Sequence, residues 1–398
     1  MANPLNTTSN HVDADLPVYA TFDEMGLPDD LLRGVYSHGF ERPSPIQQRG
    51  IVPIKEGRHL LAQAQSGTGK TGTFLTGALT RVDPTQRHTQ VLVLVPTREL
   101  ATQISKVATA IGKHLPVTSY AAVGGTSPAL DERALRNGQG QVLVGTPGRI
   151  YDMLKRGALN PAKVRVLVMD EADQMLEDRF REQVECILET GFDPAQTQLV
   201  FFSATMAPEV VEVAMGYVKD QAPARLLIPA EEVTLDGIKQ FYVAVEDPVW
   251  KLETMCDLYE KLVITQGLIY CNMRKTAEWL AEEMTRRGFA LQCIHGDLEH
   301  TERKSRMERF RSGGARVLIS TDLLARGIDV QQVSLVINFE MPNDPANYIH
   351  RIGRSGRFGR KGAAINLVTP GEHEALKQIE AYYSTTVEEL PADLKGVF

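Results

Sequence analysis

Ala64-Gln65-Ser66-Gly67-Thr68-Gly69-Lys70-Thr71 is the stretch on which the fold of this chain turns. It follows the apolar segment His59-Leu60-Leu61-Ala62 and opens a stretch with helical spacing. A glycine-rich turn between a strand and a helix is the context of a phosphate-binding loop. The glycines let backbone N–H groups close around phosphate oxygens, the lysine reaches the outer phosphates, and the Thr71 hydroxyl can ligate Mg²⁺. Ser66, Gly67, Thr68, Gly69, Lys70 and Thr71 are the candidate nucleotide ligands. Ala64 stands where the common pattern has its first glycine. A turn that merely caps a helix is the plain alternative, and the strand before it weighs against that.

A second apolar run, Val164 to Met169, ends in Asp170-Glu171-Ala172-Asp173. Carboxyl ends of strands are where open α/β sheets bind ligands. Asp170 can hold Mg²⁺ through water, and Glu171 can orient and deprotonate an attacking water. Carboxylates also favour helix N-termini, so this cluster alone is ambiguous. Paired with a phosphate loop, it reads as a nucleotide triphosphatase.

Further short apolar runs with β-branched content lie at 91–95, 142–145, 199–202, 268–271, 317–320 and 335–339. Amphipathic stretches such as 98–111 and 274–287 alternate with them. That alternation predicts repeated βαβ units and parallel sheets. It pauses over 222–237, where Pro223, Pro229, Glu231, Glu232 and Gly237 interrupt it. The expected division is a flexible segment 1–20, a first domain 21–228, a linker 229–238 and a second domain 239–398.

Composition narrows the class. The chain has 398 residues with 43 Lys+Arg against 50 Asp+Glu, a net charge of −7. The first half, through Leu235, carries 22 basic and 27 acidic residues and the second 21 and 23. Neither half is basic, so any anion-binding surface must be local. No apolar run approaches the roughly 18 residues of a membrane span, and the start lacks a secretory pattern. Four cysteines without Cys-x-x-Cys spacing argue against zinc and against a disulfide framework. Cys293-x-His295-x-Asp297 lacks a fourth ligand. A reduced, intracellular, soluble protein is expected.

The second half has no phosphate loop. It carries Tyr348-Ile-His350-Arg351-Ile-Gly-Arg354-Ser-Gly-Arg357, then Arg360 and Lys361, with no acidic residue from Tyr348 through Gly362. Arginines so clustered want an anion, although a solvated basic face would look the same.

In this order the motifs resemble the DEAD-box family of ATP-dependent RNA helicases, from about Phe22 to Leu390. The resemblance implies two tandem RecA-like α/β domains joined by a short linker, with ATP and Mg²⁺ as cofactors. Phe22, Gly39-Phe40-Glu41 and Pro43-Ser-Pro-Ile-Gln47 resemble the adenine-reading motif, in which Gln47 bonds the adenine edge and Phe40 stacks on the base. Arg354 and Arg357 match the arginine fingers, Asp329 the ribose contact, and Ser203-Ala204-Thr205 the motif linking ATP state to RNA work. Asp173 is its expected bonding partner, and His350 is assigned to the same coupling. Thr97, Arg98, Gly125, Thr146, Arg149, Arg274, Arg303 and Thr321 match the family's RNA-backbone contacts. One departure is His300-Thr-Glu-Arg303, where the family has Gln-x-x-Arg.

Within the family the resemblance is narrowest to the translation-initiation group, on Ala62–Lys70 and Gly327–Val336. It implies a monomeric cytoplasmic enzyme, with a nuclear setting also compatible, that acts on single-stranded or short duplex RNA. A scaffold or activator protein of the initiation-factor type is its implied partner. An ATP-gated RNA clamp with little unwinding is the alternative, and a DNA-directed enzyme a more distant one.

Overall fold

The computed structural model describes residues 16–64, 68–176, 178–193, 195–204, 206, 208–218, 223–227, 238–262, 266–322, 333–353, 362–383 and 385–392. The chain divides into two compact units, Met1–Pro229 and Ala230–Phe398. Each is built on a seven-stranded sheet in which every described strand pair is parallel.

In the first unit the strands are β1 (Leu60–Gln63), β2 (Val91–Leu94), β3 (Ser119–Ala122), β4 (Val142–Gly145), β5 (Val166–Asp170), β6 (Gln198–Ser203) and β7 (Ala224–Leu227). Their order across the sheet is β3-β4-β2-β5-β6-β1-β7. The early helices are α1 (Asp29–Ser37), α2 (Pro45–Lys55), α3 (Lys70–Leu79), α4 (Arg98–Ile111) and α5 (Pro128–Arg136). Then follow α6 (Pro147–Lys155), α7 (Ala172–Met175), α8 (Asp178–Glu189) and α9 (Pro208–Val218).

The second unit contains β8 (Ile238–Ala244), β9 (Gly267–Cys271), β10 (Leu291–Ile294), β11 (Val317–Thr321), β12 (Leu335–Asn338), β13 (Gly362–Val368) and β14 (Glu388–Glu389). Their order is β10-β11-β9-β12-β13-β8-β14. Its helices are α10 (Lys251–Lys261), α11 (Arg274–Arg286), α12 (His300–Arg311), α13 (Pro345–Ile352) and α14 (His373–Tyr383).

The apolar runs do not alternate because both faces of each sheet are covered. Val91 and Val93 join one core cluster while Leu92 and Leu94 join the other. In the second unit Ile269 and Cys271 face one core, and Leu268 and Tyr270 the opposite one. Helix starts follow from local chemistry. Thr97 caps α4 by accepting the Leu100 N–H at 3.3 Å, satisfying a donor that the first turn leaves open.

Two expectations shift. Residues 16–20 pack on the first unit: Leu16 is buried in the core, and the Tyr19 N–H donates to the Gln48 carbonyl at 3.1 Å. The strand after Val164 begins at Val166 and includes Asp170, because residues 161–163 form a 3-10 turn that uses Val164 as its cap.

Candidate functional site

Three adjacent strands bring the phosphate loop, the acidic cluster and Ser203 to one edge. Gln63 pairs with Ser203, and Asp170 with Phe202. The Ala64 N–H donates to the Ser203 carbonyl at 2.9 Å. Gly69 caps α3 at φ +105°, a left-handed conformation that favours glycine. Lys70 then begins the helix, and its Nζ donates to Glu171 Oε1 at 3.0 Å and lies 3.5 Å from Asp170 Oδ1. All three side chains are buried.

Burial works against the charge on Lys70, but Glu171 and Asp170 outweigh it and hold its pKa up. Burial pushes the Asp170 carboxyl up to about 6; the Glu171 charge adds to this and Lys70 opposes it. Glu171 is the one non-glycine at positive φ among the described residues, at 57°. Such a conformation costs about 1 kcal/mol. It comes right after the strand, where the Glu171 N–H donates to Asp170 Oδ1 at 3.0 Å. The set fits a nucleotide–Mg²⁺ complex: Asp170 and the half-buried Thr71 offer the hard oxygen ligands this ion prefers, and Lys70 offers a cation to phosphate.

Beside this cluster stand Phe40 and Gln47. Ser44-Pro45-Ile46-Gln47 opens α2, and the Ser44 N–H donates to Gln47 Oε1 at 2.9 Å. Gln47 Nε2 donates to the Gly69 carbonyl at 3.3 Å. A Cβ on Gly72 would lie 2.6 Å from Gln47 Nε2 and 2.9 Å from Phe40 Cε2. His38 meets the Phe40 ring edge-on at 4.8 Å. Both side chains therefore rest directly on the phosphate-loop helix.

Asp173 meets Ser203 through its backbone. The Asp173 N–H donates to Ser203 Oγ at 3.3 Å, and Asp173 Oδ1 accepts from the Gln174 N–H at 2.9 Å. Ser66, Gly67 and Thr205 lie outside the described residues.

The first unit's RNA candidates gather at the other end of the same edge, behind β2, β3 and β4. Arg98 lies over Gly124, where a Cβ would be 3.0 Å from Arg98 Nη2. Gly125 is exposed at φ +86° and Thr146 occupies the position before α6 without capping it through its side chain. Thr97 is buried. Arg149 turns inward: it pairs with buried Asp131 and donates to Thr126 Oγ1 at 3.1 Å and the Thr126 carbonyl at 2.6 Å. Its guanidinium holds the loops behind β3 and β4 together.

In the second unit, Arg274 opens α11 and pairs with Asp297. Thr321 ends β11 half-buried, and Arg303 and His350 are buried. Arg351 is fully buried, and its guanidinium binds Asp322, with Nη2 to Oδ2 at 2.7 Å. It also reaches Asn272 Oδ1 at 2.6 Å, the Glu340 carbonyl at 2.7 Å and Asn338 Oδ1 at 3.2 Å. The arginine run is thus not wholly free for an external anion, because Asp322 reaches Arg351 from 29 positions away. Asp329, Arg354 and Arg357, and the side chain of His300, lie outside the described residues.

Sequence profiles of two families match this chain: the DEAD/DEAH box helicases over residues 44–213, and the helicase conserved C-terminal domain over 250–359. Eukaryotic initiation factor 4A of Drosophila melanogaster is 51% identical over 95% of this chain and 92% of its own length. The ATP-dependent RNA helicase eIF4A of Mycosarcoma maydis is 50% identical, covering 98% and 94%. This chain belongs to the DEAD-box helicases, close to initiation factor 4A. Its fold agrees with that of S. cerevisiae Dbp5, solved bound to RNA and ADP BeF3, at a TM-score of 0.85 and 36% identity over 93% of this chain and 95% of that one.

In this DEAD-box protein some site residues were not legible in the motifs. Gly72 had no signal, since its role is to leave space beneath Phe40 and Gln47. Asp131 and Thr126 lie between quoted motifs and reveal themselves only as partners of Arg149. Arg351 stood within a motif, but nothing in its surroundings named Asp322 as its partner.

Proposed function

We propose that this protein hydrolyses ATP in an RNA-stimulated manner, with ATP held by the first unit and the site completed by Arg354 and Arg357 of the second. The observation that carries this reading is the buried Lys70–Glu171–Asp170 cluster beside Phe40 and Gln47. Phe40 and Gln47 receive the adenine. An amide offers the donor and acceptor that adenine demands. Lys70 leaves Glu171 for the outer phosphates, which frees the Glu171 carboxylate to take the proton of the attacking water. Asp170 and Thr71 would hold Mg²⁺, which would supply neutralisation of phosphate charge. Arg354 and Arg357 stabilise charge on the γ-phosphate, an effect worth about 10³–10⁵ in rate; Asp329 holds the ribose.

Binding of single-stranded RNA along Thr97, Arg98, Gly125, Thr146, Arg274, Arg303 and Thr321 reads backbone rather than base, while Arg149, matched to the same set, holds Thr126 and Asp131 in place behind that surface. Together with ATP it separates short duplexes locally, and hydrolysis releases the strand. Asp173, Ser203, Thr205 and His350 link the two events. Kinship with proteins named initiation factor 4A supports a cytoplasmic role in translation initiation as a monomer assisted by a scaffold protein. RNA-stimulated ATPase measured alongside unwinding of a short duplex tests this. Turnover stimulated by RNA with ATP-dependent strand separation is expected. Long-lived RNA binding with negligible unwinding would favour a clamp, and equal stimulation by a matched DNA strand would overturn the RNA assignment.

A further inference from the structure

The first unit carries a groove of about 490 Å³ between α8 and α9, away from the phosphate loop and the RNA candidates. Leu188 and Phe192 form one wall, and Val213 and Tyr217 the other. Glu185 and Glu189 also line it, and no Lys or Arg does so among the described residues. Arg181 offsets Glu185 one turn earlier at 2.9 Å, whereas Glu189 is exposed and has no ion pair among the described residues.

Gly216, in the last turn of α9, is the informative residue. Glycine inside a helix costs about 1 kcal/mol relative to alanine. Two internal reasons could justify one. A left-handed backbone is not the reason, since Gly216 is absent from the positive-φ glycines and the helix continues to Val218. Nor is crowding, because a Cβ at Gly216 would meet nothing within 4 Å. What the glycine does is lower the groove wall, so that another backbone can approach α9 closely.

We propose that this groove docks an amphipathic helix of a partner protein, with apolar side chains one turn apart in the groove and Lys or Arg along its flanks. Helix-in-groove recognition uses anchors at such spacing. Glu189 selects the sign of the flanks and rejects nucleic acid, whose phosphates would face it. The groove lies outside the proposed nucleotide and RNA residues, so the inference does not rest on the assigned activity.

The test uses the full chain without nucleotide and a labelled synthetic helical peptide with Leu and Trp at i and i+4 and Lys on both flanks, read by fluorescence anisotropy. Saturable binding with a Kd of about 10–100 μM is expected. Gly216→Leu should weaken it at least about tenfold, some 1.4 kcal/mol, while the melting temperature holds or rises. Glu189→Lys should weaken the Lys-flanked peptide and strengthen a Glu-flanked one. The proposal is overturned by an absence of saturable binding, by equal affinity for both peptides, or by undiminished binding to Gly216→Leu.

Discussion

Lys70 Nζ stands 3.0 Å from Glu171 Oε1 inside a buried pocket, so the residue proposed to grip phosphate is held by the residue proposed to activate water. Glu171, with Asp170, keeps Lys70 charged in a site where burial would otherwise neutralise it. In the proposed reaction a phosphate chain entering the site would compete with Glu171 for the lysine, so that nucleotide binding itself would expose the base.

Glu171→Gln keeps the shape and a hydrogen-bond acceptor for Lys70 but removes the base. ATP turnover should fall by at least about 10²-fold, with nucleotide and RNA affinity retained. Single-turnover hydrolysis and equilibrium binding check this, and unchanged turnover would refute the role of Glu171.

Lys70→Ala leaves Asp170 and Glu171 facing each other without a cation. Removing one side of a buried ion cluster costs about 3–5 kcal/mol, so the first unit should melt earlier at neutral pH and lose ATP affinity. Retained nucleotide affinity, measured by calorimetry, would contradict the phosphate-loop assignment.

The Asp170 carboxyl, raised to about 6 from its ordinary 3.8, predicts opposite trends for stability and activity. Between these values the folded chain holds a proton that the unfolded chain has lost. The stability this provides is therefore present at low pH and disappears as pH rises through about 6. Activity needs the carboxylate for Mg²⁺ and should fall as pH drops through about 6. A pH–rate profile whose acid limb lies near 4 instead would argue against Asp170 as the titrating ligand.

Gly72→Ala places a methyl 2.6 Å from Gln47 Nε2 and 2.9 Å from Phe40. The helix itself should tolerate or gain from alanine. The KM for ATP should rise about tenfold, and preference for ATP over GTP should narrow. An unchanged KM would separate Phe40 and Gln47 from base recognition.

Arg351→Lys should destabilise the second unit by about 3 kcal/mol, because an ammonium cannot reproduce the planar fork that meets Asp322, Asn272, Asn338 and the Glu340 carbonyl together. Thermal melting of the variant checks this, and an unaltered transition would show the network to be dispensable.

Strands buried on both faces announce themselves as short apolar runs, so the parallel α/β character was legible from Val91–Val95 or Leu268–Cys271 alone. Strands with mixed content were less so. Ser119–Ala122 is a half-buried edge strand, and Gly362–Val368 opens with small residues that resemble a loop. The ATP motifs were legible because a phosphate loop is local chemistry: glycines, lysine and hydroxyl must be consecutive in the chain to wrap one anion.

By itself, then, the sequence determined what is contiguous: two α/β halves, the phosphate loop, the acidic strand end, and a charge of −7 that rules out nucleic-acid binding by bulk attraction. Only the tertiary structure decided which motifs are neighbours. The strand order places β1, β5 and β6 together at one end of the edge and β2, β3 and β4 at the other, which separates the nucleotide cluster from the RNA candidates. It also decided which arginines are committed internally. Arg149 and Arg351 look like their neighbours in sequence, but the buried carboxylate of Asp131 and the half-buried one of Asp322 reach them across the fold. A guanidinium shut away from water must take such a partner, and no reading of adjacent residues can supply one that lies 18 or 29 positions away.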